Sequence, residues 1–200
     1  MAQTQESIRT ALGELVDPAT GRDYVASGAV KSVELEGNNV SVGIELGYPA
    51  KSVAEDMKQS IKDKLAALDG VGKVSVSVAT NITAHAAQAG LKLLPGIKNV
   101  IAVASGKGGV GKSTTTANLA LALAAEGARV GILDADIYGP SQQMMMGLSG
   151  RPESTDGKTI EPMEAHGIQT MSIGVLIDMD QPMVWRGPMV TQALEQLLRD

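Results

Sequence analysis

The run Gly106-Lys107-Gly108-Gly109-Val110-Gly111-Lys112-Ser113 carries the clearest chemistry in the chain. It fits G-x-x-x-x-G-K-[ST], the phosphate-binding P-loop. Its glycines let the main chain approach an anion, and successive backbone N–H groups can cradle it. Lys112 suits the β- and γ-phosphate oxygens of a nucleoside triphosphate, and the Ser113 hydroxyl suits Mg²⁺. With Thr114 next in line, residues 106–114 form the predicted binding set. Lys107 stands one residue after the first glycine, and on spacing alone it is either a site cation or a solvated loop charge. Asp134 and Asp136 end a second apolar run. Open α/β sheets bind ligands at the carboxyl ends of strands, so these carboxylates are either part of the site or strand-end caps.

Such a loop needs a strand before it and a helix after it. Val100-Ile101-Ala102-Val103-Ala104 reads as a buried parallel strand, and Thr114 to Ala125 reads as a helix closed by Gly127. Strand and helix start together make an anion site. Residues 129–133 read as a second buried strand. Residues 140–166 read as an irregular excursion, with Gln142 to Met146 either local packing or a soft partner surface. A strand candidate at 168–176 and a helix from Thr191, with Ala193, Leu194, Leu197 and Leu198 on its apolar side, complete this part. Only about three strands are found, fewer than the usual five or so of a sheet, so the sequence reads as the front part of a longer chain with an incomplete parallel sheet.

The preceding residues read as a small α+β domain, α-β-β-α-β. A helix over 4–16 carries Ile8, Ala11, Leu12 and Leu15 on one face, and Asp17-Pro18 stops it. Residues 30–36 and 40–46 alternate at period two around Gly37-Asn38-Asn39, a hairpin signature. Ser52 and Glu55 have the spacing of a capping box. They precede a helix with Val53, Met57, Ile61, Leu65 and Leu68 on its stripe, and a half-buried strand follows at 74–78. The predicted boundaries are a small domain at 1–84, a linker at 85–97 and the P-loop domain at 98–200. Leu91, Leu93 and Leu94 of the linker are expected to pack on one of the two domains.

The chain has 200 residues, a formal charge of −5, and no cysteine or phenylalanine. Its core must therefore come from aliphatic residues and Met. Neither half is basic, which argues against a nucleic-acid or anionic-membrane surface. Without cysteine there is neither a disulfide nor a thiolate-bound metal. His85 and His166 lack metal-ligand spacing. No apolar run nears the roughly 20 residues that cross a bilayer, and residues 1–15 lack the features of a signal peptide. The expectation is a cytoplasmic protein.

The stretches SGKGGVGKSTTTANLALALA and GILDADIYGPS together resemble the deviant Walker A ATPases, the class of MinD, ParA and the nitrogenase iron protein. That resemblance implies a homodimer in which Lys107 reaches the partner's phosphates, as an arginine finger does. It implies that Asp136 positions the attacking water and that Asp134 sits nearer the magnesium. LDADIYGPS, MSIGVLI and WRGPMV further resemble the Mrp/ApbC group of iron–sulfur cluster carriers. LGELVDPATGRDY, GAVKSVELEGNNVSV and LAALDGVGKVSVSV resemble the iron–sulfur-assembly domain found ahead of such ATPases. The resemblance implies ATP hydrolysis with Mg²⁺, and passage of a cluster to apo-proteins. The cluster-holding C-x-x-C of that group has no counterpart here, so no cluster ligand can be assigned to this chain. A positioning or partition ATPase of the MinD or ParA kind is the alternative. Arg186, in the WRGPMV stretch, is either a nucleotide or partner contact or a structural ion pair.

Overall fold

The computed structural model describes residues 3–85, 94–154, 159–177 and 187–199. The chain separates into two compact units, Met1–Val100 and Ile101–Asp200. Leu91 and Leu93, and Trp185 and Arg186, lie outside the described residues.

Among the described residues the first unit has two helices and a three-stranded sheet. Helix α1, Gln5–Gly13, starts with a reciprocal cap: Thr4 Oγ1 accepts from Ser7 N–H at 3.1 Å, and Ser7 Oγ accepts from Thr4 N–H at 3.0 Å. Ile8, Ala11 and Leu12 recur at helical spacing and are buried. Strands β1, Val30–Glu36, and β2, Asn39–Leu46, form the expected hairpin, with Gly37 at φ +61° at the first turn position. Val40, Val42, Ile44 and Leu46 point inward. The alternation of β1 slips between Val30 and Val33 because a bulge interrupts the register there. Helix α2, Ala54–Ala66, buries Met57, Ile61 and Leu65 and crosses to β3, Val74–Thr80, which pairs with β2 in parallel. The sheet order is β1-β2-β3.

Helix α2 begins at Ala54, one residue later than the spacing of Ser52 and Glu55 predicts; its N-cap Val53 makes no side-chain cap bond, and Glu55 accepts from Lys58.

Beyond α1 the chain wraps around Asp17, which is 3% exposed. Its carboxylate accepts from Ala19 N–H at 2.9 Å, Thr20 Oγ1 at 2.9 Å and the Tyr48 hydroxyl at 2.7 Å. Burial pushes this carboxyl up, but those three donors outweigh burial and hold it below the ordinary carboxylate value. Burial and the adjoining Asp17 push the Tyr48 hydroxyl the other way, upward. Asp17 therefore organises the turn as well as ending a helix.

Residues 82–85 and 98–99 are tied together. Lys98 Nζ donates to Ile82 O at 2.9 Å, Asn99 Nδ2 to Thr83 O at 3.0 Å, and His85 N–H to Lys98 O at 3.0 Å.

The second unit is built around helix α3, Lys112–Ala125, and a three-stranded mixed sheet. Strand β4, Gly131–Leu133, runs parallel to β6, Ile168–Met171, and β5, Met163–Ala165, runs antiparallel to β6. The observed sheet is thus mixed rather than parallel. Its antiparallel strand lies within the stretch expected to be irregular, which also holds a short helix α4, Gln142–Met145. The β5–β6 turn uses His166 and Gly167, at φ +56° and +72°. Both lie in the left-handed region that a two-residue I′ turn requires. Chain 168–176 is half strand, since it tightens into a 3-10 turn at Ile173–Val175.

The run at residues 100–104 is not a strand. Val100 and Ile101 are 62% and 64% exposed, and no described strand pairs with this run. An apolar sequence becomes a strand only when a neighbour takes its backbone groups. Helix α5, Gly187–Arg199, turns Leu194 and Leu197 inward and leaves Leu198 exposed.

Candidate functional site

Residues 106–111 form a loop that runs directly into α3. Ser105 Oγ donates to Lys107 O at 2.7 Å and stiffens its start. Gly109 and Gly111 adopt φ +73° and +88°, where a side chain would be strained. Gly111 is the N-cap of α3 and supplies no side-chain cap. The first N–H groups of the helix are left to an external acceptor, at the positive end of the helix dipole. A Cβ placed at Gly106, Gly108, Gly109 or Gly111 would meet nothing within 4 Å, so the inner surface of the loop is bare and open. Lys107 is exposed and Lys112 half-buried. Among the described residues neither has a carboxylate partner. The arrangement is rich in donors and positive charge, and lacks an acceptor. It suits a polyanion.

The aspartates after β4 differ from one another. Asp134 is 5% exposed, and its two oxygens are occupied by its own surroundings. One accepts from Asp136 N–H at 3.0 Å. The other accepts from Ser141 N–H at 2.9 Å, Gln142 N–H at 3.0 Å and Ser172 Oγ at 3.2 Å. Asp136 is exposed, and one of its oxygens accepts from Gly139 N–H at 3.1 Å. Asp134 holds the loop together, whereas Asp136 presents a carboxylate.

The folded loop brings residues 134–143 to the start of α3. Ser141 Oγ donates to Ser113 Oγ at 2.7 Å, and Gln142 Nε2 donates to Ser113 O at 3.1 Å. Gln143 Nε2 donates to Pro140 O at 3.0 Å, and its Oε1 accepts from Ser172 Oγ at 3.0 Å. Gln142 and Gln143 are buried, and Met146 belongs to the core with Ala117, Ala120, Ile132 and Ile168. Met144 and Met145 are exposed. The stretch therefore divides into packing residues and an outward pair. Sequence reasoning missed Ser141, Gln142 and Ser172. The available signal was the Gly139-Pro140-Ser141 turn, just downstream of an aspartate that required donors.

A glycine cradle at a helix start, braced by the loop that follows the next strand, defines a P-loop nucleotide-binding unit. Residues 96–200 match the family profile described as NUBPL iron-transfer P-loop NTPase, and the chain belongs to that family. Residues 5–78 match a second profile, described as iron–sulfur cluster assembly protein. A protein of Haemophilus influenzae, named iron–sulfur cluster carrier protein, is 41% identical over the whole chain, which covers 54% of that relative. A carrier of the same name from Escherichia coli K12 is 40% identical, with 100% of this chain and 55% of the relative covered. One from Pseudomonas fragi is 60% identical over 66% of this chain and 46% of its own length. The chain thus spans about half the length of these curated relatives. Among the described residues no helix is long and apolar enough to cross a membrane.

Proposed function

We propose that this chain belongs to an ATP-hydrolysing iron–sulfur cluster carrier, a cytoplasmic homodimer that delivers clusters to apo-proteins. The observation that carries the proposal is the bare glycine cradle at α3, in a chain whose first unit matches a cluster-assembly family. The names of the relatives favour this reading over a positioning or partition ATPase.

In this reading the N–H groups of residues 108–114 hold the phosphates, and the Lys112 ammonium lies against their β- and γ-oxygens. The residues also suit a bound cation. Ser113 offers a hydroxyl oxygen at the cradle, and the buried Gln142 Oε1 has no hydrogen-bond partner among the described residues. Mg²⁺ would be held at Ser113 and would supply positive charge to the phosphates. Asp136, exposed at the end of β4, orients the attacking water. Asp134 acts through the loop it organises. Lys107, exposed and without a carboxylate partner among the described residues, reaches the phosphates of a second subunit, where charge develops as the phosphoryl group leaves. The cluster is cargo.

The test is anaerobic reconstitution of the complete protein with iron and sulfide, followed by an apo-enzyme acceptor with and without ATP. Cluster absorbance and acceptor activation are expected. A protein that neither loads nor transfers a cluster overturns the carrier reading. Co-sedimentation with liposomes or DNA only when ATP is present supports the partition alternative instead. Lys107→Ala checks the dimer: turnover should fall more than nucleotide binding, and equal loss of both contradicts a role across subunits.

A further inference from the structure

Ser141 belongs to none of the residues so far given a role toward the nucleotide, yet its hydroxyl is 2.7 Å from the Ser113 oxygen. We propose that Ser141 is a positioning residue: it sets the Ser113 hydroxyl for the cation and couples loop 134–143 to the occupancy of the cradle. The inference rests on the reading that the cradle holds a Mg²⁺-bound triphosphate.

The Ser141 side chain has little freedom. Its own N–H and that of Gln142 are both held by the buried Asp134 carboxylate, which also holds Ser172. Charge-assisted bonds of this kind, out of water, are strong and rigid. Gln142 adds a second tie, from its side-chain amide to Ser113 O. That bond also fixes the amide orientation, because turning it over would set oxygen against oxygen. Loop 134–143 therefore grips both the backbone and the side chain of Ser113, from an anchor that reaches β6 through Ser172.

The hydroxyl chemistry gives this grip a consequence. Two hydroxyls 2.7 Å apart share one hydrogen bond, and each can donate or accept. A cation on the Ser113 oxygen would draw on a lone pair and turn the Ser113 proton away from itself. The Ser141 oxygen is then the acceptor in place, with no movement of the backbone. Alanine at 141 would leave the Ser113 proton without this acceptor and its side chain free to leave the required rotamer. A residue that merely packed the loop would not distinguish Mg²⁺-bound from Mg²⁺-free nucleotide.

The experiment is calorimetric titration of the full protein, wild type, S141A and S141T, with a non-hydrolysable ATP analogue, across Mg²⁺ concentrations and in EDTA. S141A should raise the Mg²⁺ concentration for half-maximal binding by about threefold to tenfold, the scale of one lost neutral hydrogen bond. Affinity in EDTA should be unchanged, and S141T should restore the Mg²⁺ dependence. Amide hydrogen exchange on the wild type gives a measure that does not depend on a variant folding. Protection at Ser141 to Gln143 should change with Mg²⁺ and nucleotide together, not with nucleotide alone. An unaltered Mg²⁺ dependence in S141A, equal weakening with and without Mg²⁺, or exchange that ignores Mg²⁺ overturns the positioning role while leaving the cradle intact. A wild type that binds no analogue overturns the cradle reading itself.

Discussion

The two units bury their residues in different ways. The first has one continuous apolar core, running from Ile8 and Leu12 through the inner faces of β1 and β2 to Ile61 and Leu65. The second has two smaller clusters, one under α3 and one under α5, and a buried polar knot at Asp134 between stretches of exposed glycine loop. A continuous aliphatic core gives stability and leaves little to react. A split core with a polar knot gives up some of that stability and gains side chains held at fixed positions beside an open cradle. The chemistry of the chain belongs with the second arrangement.

The largest expected effect breaks the reactive side of this contrast. Lys112→Ala in the complete protein should lower ATP turnover by about 10²–10³-fold, the scale of losing one main charge partner of the transition state. Steady-state phosphate release measures it. Circular dichroism should show the fold intact, since Lys112 has no carboxylate partner among the described residues. A loss below threefold would remove Lys112 from the site.

The next breaks the stable side. Ile61 is fully buried in α2, and Ile61→Ala should destabilise the first unit by ~2–5 kcal/mol through lost contacts and a residual cavity. Thermal unfolding should show an earlier transition while nucleotide affinity holds. If nucleotide affinity fell with it, the two units would not be independent in energy, and the contrast drawn between them would fail. A smaller effect sits at the cradle. Gly111→Ala meets no neighbour but forces a side chain into φ +88°, at about 1–2 kcal/mol. Nucleotide binding should weaken about tenfold as the helix start deforms.

The same contrast explains what could be read in the sequence. The P-loop, helix α3 and the β1–β2 hairpin depend on local requirements: glycines where φ is positive, periodic apolar residues, and a two-residue turn. Such features are written within a dozen residues. Val100 to Ala104 has the composition of a strand, but pairing is a property of neighbours far along the chain, and the run stays unpaired among the described residues. Strand β5 is only three residues long, and its turn begins with a histidine in the left-handed region, an unusual choice that no turn signature flags. The polar knot was hidden for another reason. Gln and Ser are mostly exposed in proteins, so nothing in the sequence marked Gln142, Gln143 and Ser172 as one hydrogen-bonded cluster, even with Gln142 to Met146 readable as local packing. Only the folded loop shows that one carboxylate gathers their hydrogen bonds.

Asp17 sharpens the comparison because it is the first unit's counterpart to Asp134: a buried carboxylate that accepts from its own turn, but with no cradle beside it. Its folded-state pKa is depressed below the unfolded value of about 3.8. The ionised form is therefore favoured by folding. Its contribution is fully present above that value and is lost as the pH falls through the lower, folded one. Asp17→Asn keeps the shape but exchanges the charged acceptor of Tyr48 and Thr20 for a neutral amide. The expected cost is about 1–3 kcal/mol at neutral pH. The variant should also lose the share of acid unfolding that Asp17 contributes in wild type as the pH falls below about 3.8. Tyr48→Phe should remove only the 2.7 Å bond, at about 1 kcal/mol. Chemical denaturation across pH measures all three proteins. If Asp17→Asn keeps the wild-type acid profile, the acid sensitivity of the first unit resides in other carboxylates, and Asp17 is held by its shape in the turn rather than by its charge.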